Sequence, residues 1–172
     1  MSTAIASPAA APLGDATRER FAREVAKYPA DQTQSAVMAC LSIVQQEQGW
    51  VSPASEKAVA DYLGMPVMAV HEVTTFYNMY NQKPVGRFKL AVCTNAPCMF
   101  AGGPEALKHL CDKLGIEPYG TTADGQFTVQ PCECLGACGD APVMLVNDRN
   151  MCSFMSNDKL DQLVDGLSTA ED

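Results

Sequence analysis

The chain has 172 residues, 47% apolar and 19% charged, with 20 acidic against 12 basic residues and a net charge of −8. That length suits one domain or two small ones with a buried core, and the composition excludes a disordered chain. The acidic balance argues against nucleic acid or an anionic membrane surface as a direct partner, which leaves other proteins and cofactors.

The first 14 residues, MSTAIASPAAAPLG, are the one low-complexity segment. They carry two prolines and no basic residue, the first being Arg18. They lack the charged start of a secretory signal and the Arg-rich amphipath of a transit peptide. A disordered tail over 1–14 is expected. The longest apolar-rich stretch, Ala36 to Val44, is far below the roughly 20 residues that a spanning helix needs. The chain therefore reads as cytoplasmic, without direct membrane insertion. A reducing compartment disfavours structural disulfides, so the eight cysteines must be core residues, ligands or redox groups.

From Asp15 to about Tyr80 the apolar spacing is helical. Asp15 is placed to cap a first helix with Phe21, Val25 and Tyr28 on one face, stopped by Pro29. Asp31 and Gln34 resemble a capping box ahead of a second helix carrying Val37, Met38, Leu41 and Val44, with Gly49 as its stop. Ser52 as N-cap, Pro53 in the first turn and Gly64 past the end delimit a third. A fourth starts near Pro66 and carries Val70, Val73, Tyr77 and Tyr80. Four short helices with short links make a small bundle, assigned to residues 15–83.

The period then changes. Phe88, Leu90 and Val92 alternate with Arg87, Lys89 and Ala91, which predicts a strand with one polar-leaning face and Cys93 at its end. A helix follows from about Pro104 to Leu114, with Leu107, Leu110 and Leu114 inward and Gly115 as stop. GQFTVQ is a second strand. APVMLVN and MCSF form a hairpin across Asp148 and Arg149. Ser156 caps a last helix with Leu160, Leu163, Val164 and Leu167 on one side. This α/β half is assigned to 84–168, with a short tail over 169–172. The fold class is therefore α+β.

Five cysteines crowd two short segments, CTNAPC at 93–98 and CECLGAC at 132–138. Cys93 and Cys98 form C-x4-C, and Cys134 and Cys138 form C-x3-C. Loops that leave strand ends at one sheet edge can converge on one site. Structural zinc prefers tight knuckles, and these spacings lie at the edge of its range, so zinc is allowed. Thiol–disulfide chemistry usually uses C-x-x-C, which neither segment has. Burial accounts well for Cys40, Cys111 and Cys152 and poorly for the crowded five. A [2Fe–2S] core needs four thiolates, two per iron, and two paired segments suit that better. Gly102, Gly103 and Gly136 are placed to let backbone N–H groups approach the sulfurs, and the helix near Pro104 can add its dipole.

CTNAPC, the later ECLGACGDAPVMLVND and the upstream ADYLGMPVMAVHEVTTFYNMY together resemble the thioredoxin-like [2Fe–2S] ferredoxins, in particular the small iron–sulfur subunits of this type in bacterial NADH:quinone oxidoreductase (respiratory complex I). The resemblance runs from about Asp15 to Leu167. It implies a thioredoxin-like domain after the helical one, with Cys93, Cys98, Cys134 and Cys138 as ligands of one [2Fe–2S] cluster. It leaves Cys132 as a thiol beside the ligands. It further implies an electron-transfer subunit of the dehydrogenase module. FMN and NADH would sit on a partner subunit, a larger iron–sulfur subunit beyond it, and the whole on the cytoplasmic side of the inner membrane. The same module could serve an NAD-linked formate dehydrogenase or a bidirectional hydrogenase. A structural zinc scaffold and a free thiol redox protein are the readings from other classes.

The remaining residues offer less chemistry. His71 and His109 fall in helical patterns and are expected to be surface or hydrogen-bonded histidines. Trp50, Phe76, Tyr77 and Tyr80 are expected in the core. Glu133 and Asp140 flank the loop of the Cys134–Cys138 pair. No P-loop, G-x-G-x-x-G, nucleophile triad or carboxylate pair is present. The helical half is expected to dock the partner.

Overall fold

The computed structural model describes residues 13–169, and most of the expected N-terminal tail lies outside them. The chain divides into two compact units, one ending at Pro84 and the other starting at Val85. No helix among the described residues is long and apolar enough to cross a membrane.

The first unit is built of α1 (Asp15–Val25), a 3-10 turn (Thr33–Ala36), α2 (Val37–Gln48), α3 (Pro53–Leu63) and α4 (Val67–Phe76). Its core joins Phe21, Leu41, Val44, Val59 and Val70, all fully buried. Phe21 meets Tyr62 edge-on at 5.1 Å. Helical spacing of apolar residues drives this arrangement, and the stops act as expected: Gly49 and Gly64 both end their helices in the left-handed conformation that glycine adopts without Cβ strain. Ser52 Oγ caps α3 by accepting from Ser55 N at 3.1 Å.

Two expected caps differ. Gly14 takes the cap position of α1, and Asp15 is its first helical residue. There the carboxylate faces the helix dipole without bonding an amide. Asp31 caps nothing, because the 3-10 turn begins after Gln32 and leads directly into α2. Leu13, assigned to the tail, packs against the first core. The aromatic set also separates. Tyr80 is buried and donates to Met38 O at 2.9 Å. Trp50 is only half-buried. Phe76 is 79% exposed and stacks edge-on with the half-exposed Tyr77. α4 ends at Phe76, so the helical period that placed these rings on one face stops there.

The second unit holds a five-stranded sheet. Its strands are β1 (Phe88–Cys93), β2 (Gly120–Thr121), β3 (Phe127–Cys132), β4 (Met144–Val146) and β5 (Asn150–Cys152). The order is β2-β3-β1-β4-β5, with β1 and β3 parallel and the other pairs antiparallel. α5 (Ala96–Phe100) and α6 (Gly103–Leu114) form the crossover from β1 to β3, and α7 (Asn157–Ser168) follows β5. α6 packs on β1 and β3, and α7 packs on α6. Leu90, Val92, Val129, Met144, Leu110 and Leu160 fill the core between sheet and helices.

Residues on both faces of β1 are buried, so its second face is not polar to solvent as the alternation predicts. Lys89 is 2% exposed, and its ammonium pairs with Asp148 at 2.6 Å. A buried cation needs its counter-charge. The hairpin turn is centred one residue earlier than expected. Asn147 and Asp148 both have positive φ, and Arg149 N bonds Val146 O at 3.2 Å. That is the turn whose handedness matches strand twist, and Asn and Asp tolerate it. Ser156 caps α7 as expected. Neither β2 nor α5 is legible as a hydrophobic period, since one has two residues and the other five.

Candidate metal centre

The parallel ladder of β1 and β3 ends with Cys93 opposite Cys132. Beyond that rung both chains turn. Asn95 starts α5, which carries Cys98, while the exit from β3 carries Cys134 and then Cys138 at the head of a 3-10 turn. All four predicted ligands therefore lie at the carboxyl end of the two central parallel strands, where crevices form in such sheets.

The thiols come in two pairs. Cys93 and Cys98 are within hydrogen-bonding reach of one another, and so are Cys134 and Cys138. Cys138 lies close enough to Cys93 and Cys98 to act on both electrostatically. Among the described residues no group of three or more His, Cys, Asp or Glu side chains is arranged to hold a metal ion. Two thiol pairs close to one another are a donor set that would suit a two-iron core, with two thiolates for each iron. The residues present therefore fit a [2Fe–2S] group.

The pairs differ in environment. Cys93 and Cys98 are 2% and 1% exposed and pack with Val143, whereas Cys134 and Cys138 are open to solvent. Burial pushes the Cys98 thiol up, a backbone hydrogen bond from Val143 works against that rise, and neighbouring Cys93 adds to it. The Cys138 thiol is raised as well, by lost hydration first and then by Cys134. Such thiols stay protonated in isolation, and a metal displaces the protons on binding.

Backbone geometry supports both pairs. Gly136, at φ 75°, donates its N–H to Cys134 Sγ at 3.4 Å, the approach expected of it. Gly103 does something else: it brings the start of α6 against the backbone of Cys93 and Cys98. Gly102, at φ 99°, occupies the cap position of that helix. On the far side, Asp140 takes a 2.8 Å bond from Phe154 N and a 3.2 Å bond from Ser153 Oγ, which ties the Cys138 turn to the segment before α7.

Cys132 is half-buried and packs with Cys93 and Cys98. Its thiol is pushed up to about 12, chiefly by burial and then by Cys93. β3 ends at Cys132, so Cys134 belongs to the turn and not to the same strand face. Cys40 and Cys111 are buried in the two cores and Cys152 is half-buried, away from this site. The histidines are both satisfied elsewhere. His71 Nδ1 lies 3.0 Å from Glu56, and His109 Nε2 lies 2.9 Å from Asp161. The sequence reading missed the bond between Asn95 and Glu133, which joins the two cysteine segments. An Asn followed by Ala-Pro is a helix-start signal that would have revealed α5.

A family model for the thioredoxin-like [2Fe-2S] ferredoxin matches residues 21–168. The chain is 39% identical over 145 residues to a subunit of the NADH-quinone oxidoreductase of Rickettsia felis, covering 84% of this chain and 86% of the relative. It is 39% identical over 142 residues to NADH-quinone oxidoreductase subunit 2 of Thermus thermophilus, covering 83% and 78%. Among solved structures, an NAD+-reducing [NiFe]-hydrogenase in the H2-reduced state shares the fold, with TM-score 0.68 at 21% identity over 80% of this chain. This chain spans only 23% of that longer hydrogenase chain. The match over nearly the whole chain, with two thiol pairs at the end of a mixed sheet, places it in the thioredoxin-like [2Fe–2S] ferredoxin family.

Proposed function

We propose that this chain is an electron-transfer subunit of the dehydrogenase module in an NADH:quinone oxidoreductase of the complex I type, with Cys93, Cys98, Cys134 and Cys138 as the four ligands of its cluster. The observation that carries the reading is the pairing of these thiols at one end of β1 and β3. Near 39% identity to oxidoreductase subunits supports the choice of complex over a hydrogenase, whose likeness at 21% concerns the fold. One-electron transfer is the chemistry that a bound [2Fe–2S] cluster supplies.

The chain's own residues set the conditions for that chemistry. β1 and α5 hold the Cys93–Cys98 pair dry. The turn after β3 leaves the Cys134–Cys138 pair at the surface, open to an electron partner. The Gly136 N–H directed at Cys134 Sγ and the Val143 backbone group at Cys98 stabilise negative charge on sulfur, which raises a cluster's potential. Glu133 and Asp140 act in the opposite sense. The proposed partner is the subunit that binds FMN and NADH, with the larger iron–sulfur subunit beyond it, on the cytoplasmic side of the membrane. The helical unit, residues 15–83, is the proposed assembly element, and residues 84–168 form the electron-carrying domain.

Low-temperature EPR of anaerobically purified, dithionite-reduced protein tests this, with iron and acid-labile sulfide assayed on the same sample. A rhombic spin-half signal with iron and sulfide near two each is expected. Bound zinc without a signal would overturn the reading.

A further inference from the structure

Asn95 lies inside the first cysteine segment and Glu133 inside the second. Asn95 Nδ2 donates to Glu133 Oε2 at 2.8 Å. The other end of the same amide is also engaged, since Oδ1 accepts from Ala96 N at 3.2 Å and caps α5. An Asn held at both ends cannot swing away from Glu133 without giving up its cap. The strand ladder ends at the Cys93–Cys132 rung, followed by Thr94 N to Cys132 O at 3.3 Å. Past that point both segments leave the sheet as turns. One carries the buried Cys98 and the other the exposed Cys134 and Cys138.

We propose that Asn95 and Glu133 form a clasp across the two turns that fixes the separation between the Cys93–Cys98 pair and the Cys134–Cys138 pair. Both are thus positioning residues for the cluster. The inference rests on the cluster reading above. A two-iron core has one fixed span, and turns that drift apart release one of its ends. A bond to a carboxylate is stronger than a neutral one, and solvent at this exposed site limits the effect to a few-fold.

Four variants separate the clasp from its neighbours. Asn95→Ser keeps an oxygen able to cap α5, is neutral, and is too short to reach Glu133; Asn95→Thr repeats it. Glu133→Gln keeps an acceptor and removes the charge. Glu133→Ala removes both. Each full-length protein is purified anaerobically, and its iron loss to a chelator, its EPR g values and its midpoint potential are recorded.

Asn95→Ser and Glu133→Ala are expected to lose iron about three-fold faster, as befits one exposed charge-assisted bond, and to shift the g values. Glu133→Gln, which keeps a weaker neutral acceptor, is expected to lie between wild type and Glu133→Ala in lifetime and g values while its potential rises. Asn95→Ser placed on Glu133→Ala should add nothing further. Wild-type lifetime and g values in both Asn95 variants would overturn the clasp, and so would additive losses in the double variant. A wild-type chain without iron would overturn the cluster reading first and the clasp with it.

Discussion

A Cβ placed on Gly103 would lie 2.5 Å from the carbonyl oxygen of Cys93. It would also lie 2.9 Å from the carbonyl oxygen of Cys98. Both obstacles are backbone, so no side chain can rotate out of the way. Helix α6 and the buried thiol pair therefore meet backbone to backbone. Gly103→Ala is expected to cost about 1–3 kcal/mol, as overpacking does, and to lower iron per chain. Gly166 is the counter-case, inside α7 with nothing within 4 Å of an added Cβ. Gly166→Ala should stabilise by about 0.5–1 kcal/mol through helix propensity. Thermal unfolding with an iron assay checks both, and shifts of the same sign would contradict this account.

Glu56 is a buried carboxylate on α3. It accepts from the Thr74 hydroxyl of α4 and lies 3.0 Å from His71 Nδ1. Thr74→Val keeps the shape and removes a buried donor. The expected loss is about 1–3 kcal/mol, the cost of leaving such an acceptor short. Trp50 is the only tryptophan and belongs to this unit, so its fluorescence in urea reports the change. An unshifted midpoint would mean that His71 satisfies Glu56 alone.

Cys40 sits fully buried in the first core, and burial raises its thiol from an ordinary 9.0 to about 12. The sign follows from linkage. The folded thiol keeps its proton where the unfolded one has lost it, so the unfolded state binds fewer protons and stability falls as pH rises. The contribution is complete below about pH 9 and is lost on the way to about 12. Urea midpoints by Trp50 fluorescence should fall across that window. Cys40→Ala should flatten the slope while lowering the neutral-pH midpoint slightly.

Removal of iron should expose the asymmetry of the two thiol pairs. After chelation, a brief iodoacetamide pulse is expected to alkylate Cys134 and Cys138 well before Cys93 and Cys98, because only the first two are exposed. Peptide mass spectrometry gives the order. Equal labelling of all four would show that the buried pair opens when the metal leaves.

Several features were legible because they are local. Ser52, Gly49, Gly64 and Ser156 mark helix ends through their own backbone chemistry, and the structure uses them as such. The 3.6-residue and 2-residue periods located six of the seven described α-helices and the main strands. The cysteine spacing separated the crowded segments from the core cysteines. Where the reading failed, a distant neighbour decided. Lys89 looked solvent-facing, but it is buried and pairs with Asp148, which the β4–β5 turn brings to it from 59 positions away. Phe76 looked like core until α4 ended beneath it.

Sequence alone determined the cast of this site: which cysteines are grouped, how far apart they stand along the chain, and that glycines accompany them. Backbone preferences and ligand spacing act over a few residues, so they are written in the order of the chain. The meeting of the two groups was decided by the tertiary structure. Parallel pairing sets Cys93 beside Cys132, the α6 crossover closes on both Cys93 and Cys98, and Asn95 reaches Glu133 across 38 positions of sequence. Which pair is buried and which is open depends on how the turns pack over the sheet edge, and no local period encodes that.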